Sequence, residues 1–165
     1  MKTADDFHQL DAFLRRNEGV RAKVYKDSLG IKTIGAGFNV ERGDARDRLA
    51  DIGVSLDDVL AGKPLTDAEI TRLLRHEVDV CVADVRTLVH LDAMPIEAQL
   101  VLIDLRYNVG SGSFRKFVTT LEAFRRGQYK KAAKQLEASQ WARQVGVRAT
   151  RSVQLLRRLS NGEHS

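Results

Sequence analysis

The amino-acid sequence predicts a mixed α+β fold that is mostly helical, with a small N-terminal β-hairpin lobe, a long linking helix and a C-terminal helical lobe. Three observations carry this. A capped amphipathic stripe starts at Thr66, a second and more apolar helix follows Pro95, and one short β-friendly stretch lies between Val20 and Gly37.

The first helix starts at Thr3, whose hydroxyl caps the exposed amides of the first turn while Asp5 and Asp6 favour that positive end. Phe7, Leu10 and Leu14 share a face, and Gly19 stops the helix, so Glu18 stands where helix gives way to loop. Val24-Tyr25 and Ile31 to Ile34 flank Ser28-Leu29-Gly30 as the arms of a hairpin. A hairpin centred on Gly30 sets Asp27 opposite Thr33, on the same face. Gly35 and Gly37 then end the strand and admit close backbone approach.

Residues 44–52 read as a short helix stopped by Gly53, and 55–61 as a further turn stopped by Gly62. Thr66 and Glu69 form a capping box, with Leu65 and Ile70 as its hydrophobic staple. The stripe Ile70, Leu73, Leu74, Val78, Cys81, Val82, Val85 and Val89 predicts a linking helix over 66–91, roughly 35 Å long at 1.5 Å per residue. Pro95 opens the next helix, apolar around most of its circumference and therefore the central core helix, running to Gly110. After a turn at 110–113, helices are expected at 114–126, 129–138 and 147–159.

Composition narrows the function classes. The chain has 165 residues, 43% hydrophobic and 30% charged, the balance of a folded globular protein. No apolar run approaches the roughly 18 residues that span a bilayer, and the N-terminal stretch lacks the apolar segment of a secretory signal. One cysteine, Cys81, excludes an internal disulfide framework, and its valine neighbours mark it as a buried hydrophobe. His8, His76, His90 and His164 show no metal-ligand spacing and read as surface residues; no cofactor or metal is implied. Charge is uneven. Residues 41–104 carry 14 acidic against 7 basic side chains, and residues 111–165 carry 12 basic against 3 acidic. A basic C-terminal third points to an anionic partner: nucleic acid, a membrane surface or a charged wall polymer.

Glu18 and Asp27 flank the helix-to-hairpin junction. Two carboxylates in different environments are what glycoside hydrolysis needs, one protonated to give a proton to the leaving oxygen and one ionised to activate water. The hydroxyl of Thr33 could orient that water. Spacing alone leaves these residues open to a surface role.

Asn17-Glu18-Gly19-Val20-Arg21, Tyr25-Lys26-Asp27-Ser28 and Gly30 through Gly37 resemble the phage-type lysozymes, the endolysins of glycoside hydrolase family 24. The family pattern of Glu, eight residues, Asp, five residues, Thr, then Ile-Gly-x-Gly is present in full. Downstream, Tyr107-Asn108-Val109-Gly110, Ser139-Gln140-Trp141 and Val147-Arg148-Ala149-Thr150-Arg151 resemble later family elements, so the likeness spans residues 18 to 151. It implies a single lysozyme domain with a β-containing lobe at 18–65, a linking helix at 66–91 and a helical lobe at 92–165 plus 3–16.

Carried over, the resemblance makes Glu18 the general acid, Asp27 the base or electrostatic stabiliser and Thr33 the water-positioning residue. Arg148 would pair with Glu18, and Tyr107, Thr120 and Gln135 would line the substrate cleft. The implied activity is a muramidase hydrolysing the β-1,4 bond between N-acetylmuramic acid and N-acetylglucosamine of peptidoglycan with inversion, causing lysis. Peptidoglycan is then the partner, with no nucleic acid and no metal. The protein is expected as a monomer in the bacterial host cytoplasm until a holin or another route admits it to the periplasm and cell wall. Phe38 departs from the family's histidine after Ile-Gly-x-Gly, which by the resemblance removes a salt bridge, and Asn17 lacks the acidic group that a family member carries before the glutamate. Other classes stay open: a non-catalytic basic protein that binds wall, membrane or nucleic acid, and a lytic transglycosylase on a similar fold.

Overall fold

The computed structural model describes residues 1–162. In chain order it has α1 (Ala4–Glu18), β1 (Arg21–Lys26), β2 (Lys32–Gly35), β3 (Phe38–Asn39), α2 (Ala45–Asp51), α3 (Leu56–Leu60) and α4 (Asp67–Arg86). A 3-10 turn at Leu91–Ala93 follows, then α5 (Ile96–Arg115), α6 (Val118–Arg125), α7 (Tyr129–Glu137), α8 (Gln140–Val145) and α9 (Val147–Gly162). The mixed α+β class is the one the sequence predicts. Residues Asp11–Asp79 form one compact unit, and Met1–Leu10 with the chain from Val80 onward form another.

In the unit Asp11–Asp79, the three strands make an antiparallel sheet in the order β1-β2-β3. Its core gathers Ile34 and Phe38 from the sheet, Leu49 from α2, Val59 from α3, and Ile70 and Leu73 from α4. The expected capping box holds α4 at its start: Glu69 N donates to Thr66 Oγ1 at 3.1 Å and Thr66 N to Glu69 Oε1 at 2.9 Å.

The hairpin is centred one residue earlier than the sequence suggests. Tyr25 pairs with Thr33 and Lys26 with Lys32, so Asp27 stands opposite Ile31, whose carbonyl accepts from Asp27 N at 2.9 Å. The turn closes on Gly30, which donates to the Asp27 carbonyl at 2.9 Å from a left-handed φ of 78°. Moving the centre by one changes each partner by two, so the facing of every side chain is kept.

In the other unit α5 is the core helix. Leu100, Val101, Leu102, Ile103 and Leu105 are all buried, as are Phe124, Leu136 and Leu156 of α6, α7 and α9. The linking helix is shorter than its stripe implies. It ends at Arg86, because Thr87 and Leu88 turn their amides onto the carbonyls three residues back, Asp84 and Val85, at 3.1 and 2.9 Å. Gly110, at φ 81° and ψ 168°, breaks α5 without ending it, and Ser111 to Arg115 resume the helix. Asp84 of α4 bridges that break, accepting from Arg106 before it and Arg115 after it. The short α8 has no counterpart in the apolar pattern; Ser139 caps it through its hydroxyl, which accepts from Ala142 N at 3.1 Å.

Phe38, the departure from the family pattern, faces the unit's core and is 2% exposed. The Arg42 guanidinium lies 4.8 Å from its ring centroid and donates to Glu77 at 2.7 Å and to both oxygens of Asp44 at 2.8 Å. Glu77 is itself buried, so this arginine, with Arg48 3.7 Å away, neutralises a largely desolvated carboxylate. Replacing Arg42 with Gln is expected to lower stability in urea by about 2–3 kcal/mol at neutral pH. The Arg42 fork holds the Asp44 carboxyl at about 2, below its ordinary 3.8. Its contribution is therefore complete above about pH 4 and lost as pH falls through about 2, and because Asp44 is half exposed it amounts to a fraction of a kcal/mol. Urea melts at stepped pH measure both effects.

Candidate active site

Glu18 is the last residue of α1. Gly19 stops the helix at a left-handed φ of 70°, its amide bonded to the Arg15 carbonyl at 3.0 Å. The half-buried Glu18 side chain then lies directly against the backbone of Gly37. A Cβ placed on Gly37 would fall 2.7 Å from Glu18 Cδ, and Gly37 holds a φ of 76° that other residues adopt only under strain. The glycine therefore makes the space in which this carboxyl sits.

Asp27 is fixed by the hairpin turn. Its Oδ1 accepts from the amides of Leu29 at 2.8 Å and Ile31 at 2.9 Å. Its Oδ2 has no hydrogen-bond partner among the described residues. Thr33, 4% exposed, donates its hydroxyl proton to the Ile31 carbonyl at 3.0 Å, which leaves the lone pairs of Oγ1 as acceptors. Tyr25 and Asn39 pair with Thr33 from the strands on either side. Asp27 and Thr33 thus share a face, as expected from sequence, but as diagonal neighbours rather than direct partners.

Tyr25 is the residue that sequence reading passed over. Burial raises its phenol above the ordinary 10.0, the charge of Glu18 and more weakly that of Asp27 raise it further, and Arg21 opposes them. The Arg21 guanidinium stands 4.7 Å from its ring centroid. Both acidic residues are therefore close enough to act on one hydroxyl. The signal was available: Tyr25 is two residues from Asp27, on the same face of the arm.

The remaining candidates lie in the other unit. Arg148, on α9, is 7% exposed and grips the fully buried Asp104 of α5, Nη2 to Oδ1 at 2.7 Å and Nε to Oδ2 at 3.0 Å. Asp104 was not singled out from the sequence, although one aspartate in an otherwise apolar helix face requires a cation. Tyr107 is half-buried on α5. Thr120 of α6 is 4% exposed, and Gln135 of α7 holds its Oε1 buried without a hydrogen-bond partner. Trp141, on α8, donates from its indole to Asn108 Oδ1 at 2.9 Å, next to Tyr107.

Cys81 is buried. His8 and His90 are exposed, His76 lies 3.4 Å from Asp51, and His164 falls outside the described residues. Among the described residues no group of three His, Cys, Asp or Glu side chains is placed to hold a metal ion, and no helix is long and apolar enough to cross a membrane.

Two outcomes follow from this geometry. In Glu18→Gln the Tyr25 phenol titrates at lower pH than in the parent, because a neighbouring negative charge is gone; ring-carbon NMR resolves it from the other two tyrosines. Gly37→Ala displaces the Glu18 carboxyl and strains the turn, lowering stability by about 1–2 kcal/mol in thermal or urea melts.

Comparison with known proteins agrees with the motif pattern. The family model for phage lysozyme matches residues 15–161. The pre-baseplate central spike protein Gp5 of Enterobacteria phage T4 is 31% identical over 87% of this chain, which covers 26% of the spike protein. A SAR-endolysin of Bacteriophage PS119 is 30% identical over 72% of this chain, which covers 60% of that protein. With the two acidic residues and the threonine on the helix–hairpin junction and the match running almost end to end, the chain belongs to the phage lysozyme family, a family of glycoside hydrolases.

Proposed function

We propose that the chain is a muramidase that cleaves peptidoglycan at the β-1,4 bond between N-acetylmuramic acid and N-acetylglucosamine. The observation that carries this reading is the pair of acidic residues in one compact unit, each fixed by a different device. Glu18 is seated on Gly37 and Asp27 is clamped by two backbone amides.

In this reading Glu18 is the general acid. It delivers a proton to the leaving oxygen. Asp27 is the base. With Oδ1 saturated by amides, Oδ2 accepts the proton of the attacking water or faces the positive charge that develops at the anomeric carbon. Thr33 holds the same water by accepting its second proton in a hydrogen bond, since its own hydroxyl proton is committed to Ile31. A water held by both groups attacks the face opposite the leaving oxygen and inverts the anomeric centre. Arg148, locked onto Asp104, belongs to the scaffold of α5 and α9. Tyr107, Thr120 and Gln135 are the sugar contacts, with the ring of Tyr107 stacking on an apolar sugar face.

The wider setting belongs to the same proposal. The two relatives are named as a spike protein and as an endolysin, and a catalytic domain of this kind serves either delivery. We favour a monomer that accumulates in the bacterial host cytoplasm and reaches the wall after a membrane lesion of the kind a holin makes.

Digestion of purified peptidoglycan is the decisive experiment. The wild type should release saccharides with reducing N-acetylmuramic acid ends, and Glu18→Gln should keep its melting temperature yet clear no cell-wall suspension. Retained clearing by that variant removes Glu18 from the mechanism, and 1,6-anhydro ends assign a transglycosylase instead. Asp27→Asn is expected to lose about a hundredfold or more in kcat, and Thr33→Val about tenfold, with folding unchanged by circular dichroism. Proton NMR of the first-formed anomer tests inversion.

A further inference from the structure

The unit Asp11–Asp79 holds a charged cluster between α2 and α4 in which one contact admits a single protonation state. Nη1 of Arg48, on α2, lies 2.8 Å from Nε2 of His76, on α4. A guanidinium only donates, so Nε2 is the acceptor and the neutral ring carries its proton on Nδ1. The same Nε2 lies 3.4 Å from Oδ2 of Asp51, three residues further along the chain from Arg48. A carboxylate only accepts, so this second contact becomes a hydrogen bond only when Nε2 is protonated.

Beside them stands an acceptor with no donor. Glu77, the residue after His76, is buried, and its Oε1 has no hydrogen-bond partner among the described residues. Its Oε2 takes the 2.7 Å bond from Arg42. Nε of Arg48 lies 3.7 Å from Oε1, too far for a hydrogen bond, and donates to Asp44 at 3.3 Å. Arg48 is thus held by His76 within a small movement of a desolvated carboxylate oxygen that lacks a partner.

The charges point the same way. Two guanidiniums, Arg42 and Arg48, meet three carboxylates, Asp44, Asp51 and Glu77. With a neutral ring the cluster is one positive charge short, and a proton on His76 makes it even. The remaining charges on the two helices around these positions do not alter that count. Arg46 is turned to Asp57, Arg75 and Asp79 pair at 3.7 Å, and Asp47 and Arg72 are of opposite sign.

We propose that a proton on the His76 ring exchanges Arg48 between His76 and Glu77. Neutral His76 holds Arg48 through Nε2. A proton taken from solvent makes Nε2 a donor, which bonds Asp51 and repels the guanidinium. Arg48 then swings onto Oε1 of Glu77, and the buried carboxylate is held by an arginine at each oxygen. Histidine is the side chain whose charge ordinarily changes between about pH 5 and 8, so the exchange is a proton sensor set in the fold. Its place gives it reach. Arg42, on the other oxygen of Glu77, covers Phe38, which follows the Gly37 that seats Glu18.

The test is NMR of the full chain, with nitrogen-15 in the histidine rings and carbon-13 in the glutamate carboxyls, titrated from about pH 8.5 to about pH 5. At the alkaline end Nδ1 of His76 is expected to carry the proton and Nε2 to resonate as a bare acceptor. A proton on Nε2 there overturns the proposal. As His76 titrates, the Glu77 carboxyl should shift in step with it, because Oε1 gains a donor, and His76→Gln should abolish that step. Arg48→Gln separates exchange from the mere field of a new charge on the neighbouring residue: His76 still titrates, and the Glu77 step should largely vanish. No step in the parent, one that survives in His76→Gln, or one that persists undiminished in Arg48→Gln overturns the exchange. Arg48 and His76 are both partly exposed, so the variants are expected to fold, and thermal melts check this. The tautomer is read in the unaltered chain and depends on no variant.

Discussion

The position of the Glu18 carboxyl depends on the missing side chain of Gly37. A Cβ there would stand well inside van der Waals contact with the carboxyl group, so the seat exists only while residue 37 is glycine. That one constraint ties the end of α1 to the far end of the hairpin sheet. It also sets what the neighbouring strands must do. β2 has to end at Gly35 and β3 has to restart at Phe38, leaving Ala36 and Gly37 as a tight turn whose backbone faces Glu18. Phe38 then falls on the opposite side, into the core, where Arg42 covers it.

The second acidic residue is held in another way. Asp27 is fixed by two amides of its own turn, so its orientation depends on local hairpin geometry and on no distant element. Thr33 is set by the same hairpin, through its bond to Ile31. The consequence is a division of labour: one carboxyl placed by packing of remote segments, and another with its threonine placed by the hairpin whose turn spans residues 27–31. The Tyr25 phenol feels both charges, each of which raises it above its ordinary value.

Polar groups buried in the helical unit are satisfied with similar economy. Asp104 sits on the core helix α5, where Arg148 of α9 grips it with two nitrogens. Breaking that pair would strand a charge among leucines, so α5 and α9 are coupled in register as well as in packing. Asp84 does comparable work at the break in α5, holding an arginine on each side of Gly110. These acidic residues serve architecture.

How much of this was legible beforehand follows from the range of each interaction. Helix caps at Thr3 and Thr66, the stop at Gly19, the Pro95 start and the shared face of Asp27 and Thr33 are set by residues a few positions apart, and the sequence displays them directly. Centring the hairpin on Gly30 missed by one position, because the Asp27 side chain itself closes the turn onto Ile31, a bond that strand propensity does not encode. The stripe through Val89 overran the end of α4, because apolar residues continue into a turn that is buried for the same reason. The short α8 escaped because its one buried anchor, Trp141, is placed by an indole bond to Asn108. The sequence alone therefore determined the fold class and the spacing of Glu18, Asp27 and Thr33, which is covalent. Only the tertiary structure decided that Gly37 seats Glu18, that Asp104 holds Arg148 and that Arg48 stands between His76 and Glu77. Each of those depends on contacts between segments tens of residues apart, which no local pattern records.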